Sequence, residues 1–123
     1  MNADLSPKRK MSEMISEMAA PFISEGKTPE EKHHRLTAAC SAWNMACGSP
    51  GMRRQQLEQY VEGYQQNNPA TSPSDLANIR KVIQALIERK LEMFPDDKRQ
   101  IVSSKIVMVG KDYRIEVASA TLE

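Results

Sequence analysis

This chain of 123 residues contains four pairs of a hydroxyl residue followed by proline, and these pairs constrain its fold more than any other feature. The pairs are Ser6-Pro7, Thr28-Pro29, Ser49-Pro50 and Ser72-Pro73. A Ser or Thr side chain caps the free N–H groups of a helix start, and proline fits the first helical position because no N–H is needed there. Each pair therefore predicts the beginning of a helix.

Apolar residues recur at three- and four-residue spacing after each of these starts, which is typical of amphipathic helices. Gly26, Gly48 and the run Asn67-Asn68-Pro69 supply the helix ends. The sequence predicts four helices, at about 7–25, 29–47, 50–67 and 73–94. Proline inside a helix removes one backbone hydrogen bond, so we expect Pro21 to break or kink the first helix.

The fourth predicted helix has the widest apolar face in the chain. This face comprises Leu76, Ile79, Val82, Ile83, Leu86, Ile87, Leu91 and Phe94. A face this wide implies contact with more than one neighbour, so we expect this helix to be the central one.

The pattern changes after Phe94-Pro95 from helical spacing to β-branched runs and alternation. These runs predict two strands, at about 100–109 and 113–118, joined by a turn at 110–112. A hairpin alone is marginally stable in water, so this one must pack on the helices or pair with another chain. We predict a single domain, 1–123, of the α+β class and mostly α, with about four helices followed by a C-terminal β-hairpin packed on them.

Charge is balanced along the chain, with 17 basic and 16 acidic residues and a net charge of +1. No segment has the excess of one sign that drives binding to nucleic acid or anionic lipid. No apolar run approaches a membrane span, and the first residues are too polar for a signal peptide. We therefore expect a cytoplasmic protein without a membrane partner.

Two adjacent histidines and two cysteines are the residues that best suit metal binding or catalysis. Cys40 and Cys47 are seven residues apart in one predicted helix, about 10 Å along its axis, which is too far for a disulfide. The same spacing separates His33 from Cys40. Zinc ligands must all lie about 2.0–2.3 Å from the metal ion, so these residues cannot bind the same zinc ion. The sequence thus predicts no metal, cofactor or catalytic residue. It allows no small-molecule ligand to be inferred, and it leaves the role of His33 and His34 open.

Methionine is abundant, with 8 residues, and several line one face of the first predicted helix. Met-rich faces adapt to varied partners, so Met11, Met14, Met18 and Phe22 are a candidate partner surface. The hairpin edge is a second candidate, because an uncovered strand edge accepts another strand. The alternative is that Lys105, Lys111 and Arg114 block pairing at this edge. Our leading hypothesis is a non-enzymatic interaction or regulatory protein that forms a homodimer or binds another protein.

A DNA-binding regulator is the first alternative, because a short turn between the second and third helices has the outline of a helix-turn-helix motif. The third helix would present Arg53, Arg54, Gln55, Gln56 and Gln59. Arg and Gln side chains pair with guanine and adenine edges in the major groove. Acidic residues on the same helix argue against this alternative. A small enzyme of unidentified type is the second alternative.

Overall fold

Residues 10–120 are described by the computed structural model, and they form four helices followed by a two-stranded antiparallel sheet. The elements are α1 (Met11–Ser24), α2 (Pro29–Ala46), α3 (Pro50–Asn67), α4 (Pro73–Met93), β1 (Gln100–Val109) and β2 (Asp112–Ala120). The predicted fold class, mostly α with a C-terminal hairpin packed on the helices, is confirmed.

Three of the four predicted helix caps lie within the described residues, and all three form. The Thr28, Ser49 and Ser72 hydroxyls each accept a bond from the backbone N–H three residues later, at 3.1, 3.3 and 3.1 Å. The predicted start at Ser6-Pro7 lies outside the described residues. Within them, α1 begins at Met11, after an extended Lys10.

Pro21 does not end α1, which continues through it to Ser24. A proline lacks the N–H that would bond the carbonyl four residues earlier, here that of Glu17. The guanidinium of Arg89 on α4 donates to this carbonyl at 3.2 Å and to the Met18 carbonyl at 2.8 Å. A bond from a neighbouring helix thus replaces the one that proline removes.

The connection from α1 to α2 is held by two cations of α2. Arg35 donates to the Phe22 carbonyl at 2.9 Å, and the Lys32 ammonium donates to the Gly26 carbonyl. Gly26 is buried against the first turn of α2, and a Cβ at this position would lie 2.8 Å from the Lys32 backbone nitrogen. Only glycine permits this close approach of two backbone segments.

The central helix is α2, and the prediction that α4 holds this place was wrong. Among the described elements, α2 contacts α1, α3, α4 and β1, whereas α4 contacts only the other helices. The buried residues of α2 are Leu36, Ala38, Ala39, Cys40, Ala42, Trp43, Met45 and Ala46. Its small buried side chains let neighbours approach from several sides, so it is surrounded although its apolar residues are less concentrated on one face than those of α4.

One face of the hairpin packs against the helices, with β1 against α2 and β2 against α1. Ile106 and Ile115 are opposite each other in the register, and both pack against the core. The register shifts between Ile101 and Ser103, which marks a β-bulge. Gly110 takes a φ of +64° in the turn, a conformation that glycine adopts without strain.

We expect Gly26→Ala to lower the free energy of unfolding by about 1–3 kcal/mol, because the new methyl group meets backbone that cannot yield. Gly63→Ala in α3 is the matched control. A Cβ there meets nothing within 4 Å, so this substitution should stabilise the protein by about 0.5–1 kcal/mol through helix propensity. Urea denaturation measures both, and equal effects of the two substitutions would contradict the close approach at Gly26.

Candidate functional site

The methionine face of α1 points into the core of the chain. Met11, Met14 and Met18 are 5%, 3% and 1% exposed, and Phe22 is half-buried beneath the Arg35 guanidinium at 4.7 Å. The structure therefore offers no exposed surface at these methionines, because α2, α4 and β2 pack against α1. A substitution at Met18 would test folding rather than association.

The residues of the DNA-binding alternative do not form one basic surface on α3. Arg54, Gln55 and Gln59 are exposed, but Arg53 donates to the Gly48 carbonyl at 3.0 Å. Gln56 is half-buried, and the described residues offer its buried Oε1 no hydrogen-bond partner. The same helix also exposes the Glu58 carboxylate, which pairs with Arg80 of α4 at 2.7 Å. This surface therefore carries charges of both signs. The alternative stays a prediction.

His33 and His34 are exposed on α2, with ring centroids 6.5 Å apart. Cys40 and Cys47 are free thiols, and burial raises the pKa of both, that of Cys40 to about 11. In residues 10–120, no three His, Cys, Asp or Glu side chains are grouped to hold a metal ion. The structure thus does not bring the histidines and cysteines together.

A buried lysine near the end of α4 was not anticipated from the sequence. The Lys90 side chain is 0% exposed, and its ammonium donates to the carbonyls of Phe94 at 2.7 Å and Asp97 at 2.5 Å. The ammonium also lies 4.9 Å from the centroid of the Trp43 ring. Burial lowers the pKa of Lys90. The available signal was its position three residues after Ile87, on the apolar face of the helix.

Side chains of α2 bind the backbone at the end of the connection between α4 and β1. Trp43 Nε1 donates to the Arg99 carbonyl at 2.8 Å. The Asn44 amide donates to the Ile101 carbonyl at 2.9 Å and accepts from the Ile101 N–H at 2.8 Å, as a neighbouring strand would. We call Trp43, Asn44 and Lys90 the hairpin anchor, because they fix the first residues of β1 to the helices.

An ion pair stiffens the same connection. The Asp97 and Arg99 side chains meet at 2.6 Å, and Asp97 also accepts from the Arg99 backbone N–H at 3.1 Å. The hydrogen bond from Arg99 lowers the pKa of the Asp97 carboxyl. The Cys47 sulfur lies 3.7 Å from the carbonyl oxygens of both residues. The connection between α4 and β1 is therefore ordered by polar contacts along its length.

The first strand exposes apolar side chains and has one unpaired edge. Val102, Met108 and Val109 are 65%, 45% and 54% exposed. The sheet of the described region has two strands, so beyond Ile101 the second edge of β1 has no neighbouring strand. We call this edge, with its three exposed apolar residues, the β1 edge.

The corresponding strand β2 differs in character. Its exposed residues are Asp112, Arg114, Ala118 and Ala120, which are charged or small. Arg114 pairs with Glu116 at 2.8 Å, and Lys105 of β1 reaches the same carboxylate at 3.4 Å. On β1 the exposed residues other than Ser103 and Lys105 are apolar. Charged side chains discourage the addition of another strand, so β1 is the more receptive of the two edges.

A groove of about 790 Å³ lies between α2, α3 and α4, with Phe22 at the end of α1. We call it the α2–α4 groove. Its lining residues are Phe22, His33, His34, Arg35, Thr37, Ala38, Tyr60, Tyr64, Asn67, Asn68, Asn78, Ile79, Val82 and Ile83. Burial raises the pKa of the Tyr60 phenol. Its lining combines apolar, aromatic and polar side chains, which is the usual composition of a ligand site.

No protein-family model, no curated protein and no solved structure matches this chain. In residues 10–120, none of the helices has the combination of length and apolar character that crossing a membrane requires.

Asn44→Asp should destabilise the protein by about 2 kcal/mol, because the carboxylate keeps an acceptor for the Ile101 N–H but turns an oxygen toward the Ile101 carbonyl. Asn78→Asp makes the same change at an exposed position of α4 and should cost less than about 0.5 kcal/mol. Urea denaturation compares the two. If both variants unfold at the same midpoint, Asn44 does not anchor the hairpin.

Cys40 should react slowly with iodoacetamide. A thiol with a pKa of about 11 has roughly one molecule in a thousand ionised at pH 8, about a hundredfold fewer than an ordinary cysteine. The Cys47→Ser variant isolates this thiol, and mass spectrometry follows its labelling in buffer and in urea. Equal rates under the two conditions would show that Cys40 is not buried.

Proposed function

We propose that this protein is a non-enzymatic interaction protein that self-associates by pairing the β1 edge of one copy with that of another. The observation that carries the proposal is the exposure of Val102, Met108 and Val109 along β1, which beyond Ile101 has no second neighbouring strand among residues 10–120. An exposed apolar edge strand is a template for pairing with a further chain.

A second copy is the occupant because each β1 edge then meets an edge with the same exposed apolar residues, while Lys105 stays paired with Glu116 of its own hairpin. A two-fold axis places equal surfaces against each other, and it leaves the charged β2 strands at the outer edges of a four-stranded sheet. A net charge of +1 leaves little repulsion between copies.

The hairpin anchor supports this proposal, because it already holds the start of β1 in place before a second copy binds. Contacts from Trp43, Asn44 and Lys90 fix the chain between α4 and β1 in the single copy. A preformed strand loses less conformational entropy on pairing than a disordered one. The proposal includes a cytoplasmic location, which the two free thiols favour.

Val102→Lys should weaken self-association by at least about tenfold, because it sets like charges on an edge that pairs with itself. Val102 is 65% exposed, so the free energy of unfolding of the single copy should change by less than about 0.5 kcal/mol. Sedimentation velocity across a range of concentrations measures the association.

Met52→Lys is the matched control, since Met52 is 52% exposed on α3, away from the hairpin. It should leave association unchanged. A wild-type chain that stays monomeric across the concentration range, or an equal effect of the two substitutions, would overturn the proposed pairing.

A further inference from the structure

The α2–α4 groove is separate from the surface used for self-association. The described residues that line it belong to the four helices or to the turn between α3 and α4, and none belongs to the hairpin. Its volume of about 790 Å³ falls within the range of sites that take small molecules. Tyr64 and Val82 in its wall stay 37% and 36% exposed, so the single copy leaves this apolar surface open to solvent.

The walls of the groove favour a flat, apolar ligand body. Tyr60 and Tyr64 lie one turn apart on α3 and face Ile79 and Val82 of α4 across the groove. Aromatic side chains form favourable stacked or edge-to-face contacts with other rings. An aromatic ring is thus the chemical group that this part of the groove suits best.

The charge of the groove favours an anion. Among the described residues, 10–120, none of those that line the groove is acidic, although the chain has 16 Asp and Glu residues. Arg35, His33, His34 and the amide of Asn78 instead supply hydrogen-bond donors. Carboxylates accept such bonds, and they form strong charge-assisted bonds with guanidinium groups.

The neighbouring acids do not cancel this preference. Glu25, Glu30 and Glu31 line a second depression, which shares His34 and Arg35 with the groove and also contains Lys27. Glu25 meets Arg35 at 3.3 Å, and this contact and the bond to the Phe22 carbonyl both use Nη1. The guanidinium carries further N–H donors on its other nitrogens.

We propose that the α2–α4 groove binds a small aromatic carboxylic acid, with the carboxylate toward Arg35 and His34 and the ring against Tyr60 and Tyr64. The inference goes beyond self-association and does not depend on it. The volume, the aromatic wall and the absence of acids from the lining all support the same class of ligand.

Calorimetric titration of the full chain with three probes of the same shape tests the proposal. The probes are 2-naphthoate, the neutral 2-naphthalenemethanol and the cationic 2-naphthylmethylamine. We expect the carboxylate to bind about tenfold more tightly than the alcohol, and the amine to bind most weakly. Absence of binding by the carboxylate, or an amine that binds as tightly, would overturn the proposal.

Asn78→Asp places a carboxylate in the rim of the groove with almost no change of shape. It should weaken the binding of 2-naphthoate several-fold and leave that of the alcohol unchanged. Gln84→Glu adds the same charge to an exposed position of α4 outside the lining and is the matched control. Equal effects of the two substitutions would show that the anion does not bind in the groove.

Two further variants separate the ring contact from association. Tyr64→Ala should weaken the binding of both the carboxylate and the alcohol, because it removes aromatic surface that is already partly exposed. Val102→Lys should leave the binding of 2-naphthoate unchanged, since Val102 lies on the hairpin. Loss of probe binding in Val102→Lys, or none in Tyr64→Ala, would place the ligand outside the groove.

Discussion

The burial of the Lys90 ammonium is the constraint on which the arrangement of helices and hairpin depends. A buried ammonium without partners is strongly unfavourable, so the carbonyls of Phe94 and Asp97 must reach it. These carbonyls meet the ammonium only if the chain turns back over the end of α4. The ring of Trp43 completes the surroundings of the charge and connects this turn to α2.

The geometry of this turn decides where the hairpin lies. Residues that follow Asp97 run along α2, where Trp43 binds the Arg99 carbonyl and Asn44 binds both backbone groups of Ile101. Asn44 thus acts in place of a neighbouring strand at one residue only. Within the part of the chain that the structure describes, the rest of β1 pairs only with β2, so the contacts that position the hairpin leave the β1 edge without a second strand there.

Local chemistry in the sequence predicted the helix starts well. The caps at Thr28, Ser49 and Ser72 depend on residues three positions apart, so tertiary contacts are not needed to recognise them. The change from helical spacing to alternation likewise marked the hairpin. These features explain why the fold class followed from the sequence.

Long-range bonds between side chains and backbone could not be predicted in the same way. Arg89 is about seventy residues from the carbonyls that it binds around Pro21, and Asn44 is 57 residues from Ile101. Neither partnership leaves a periodic signal. Periodicity also shows which side of a helix is apolar, but it does not show what covers that side. The methionine face of α1 was therefore a candidate partner surface in the sequence, whereas in the structure it is buried in the core.

The α2–α4 groove could not be predicted from the sequence, because the residues that line it come from four helices that are far apart along the chain. Its form follows from the way α3 packs. This helix buries only Leu57 and Val61, and its contact with α4 includes an exposed ion pair between Glu58 and Arg80. One turn beyond Val61, Tyr64 remains partly exposed, so the helices are not closed together there. A chain that filled this space with aliphatic side chains would gain buried apolar area, and this chain instead lines it with tyrosines, asparagines and histidines.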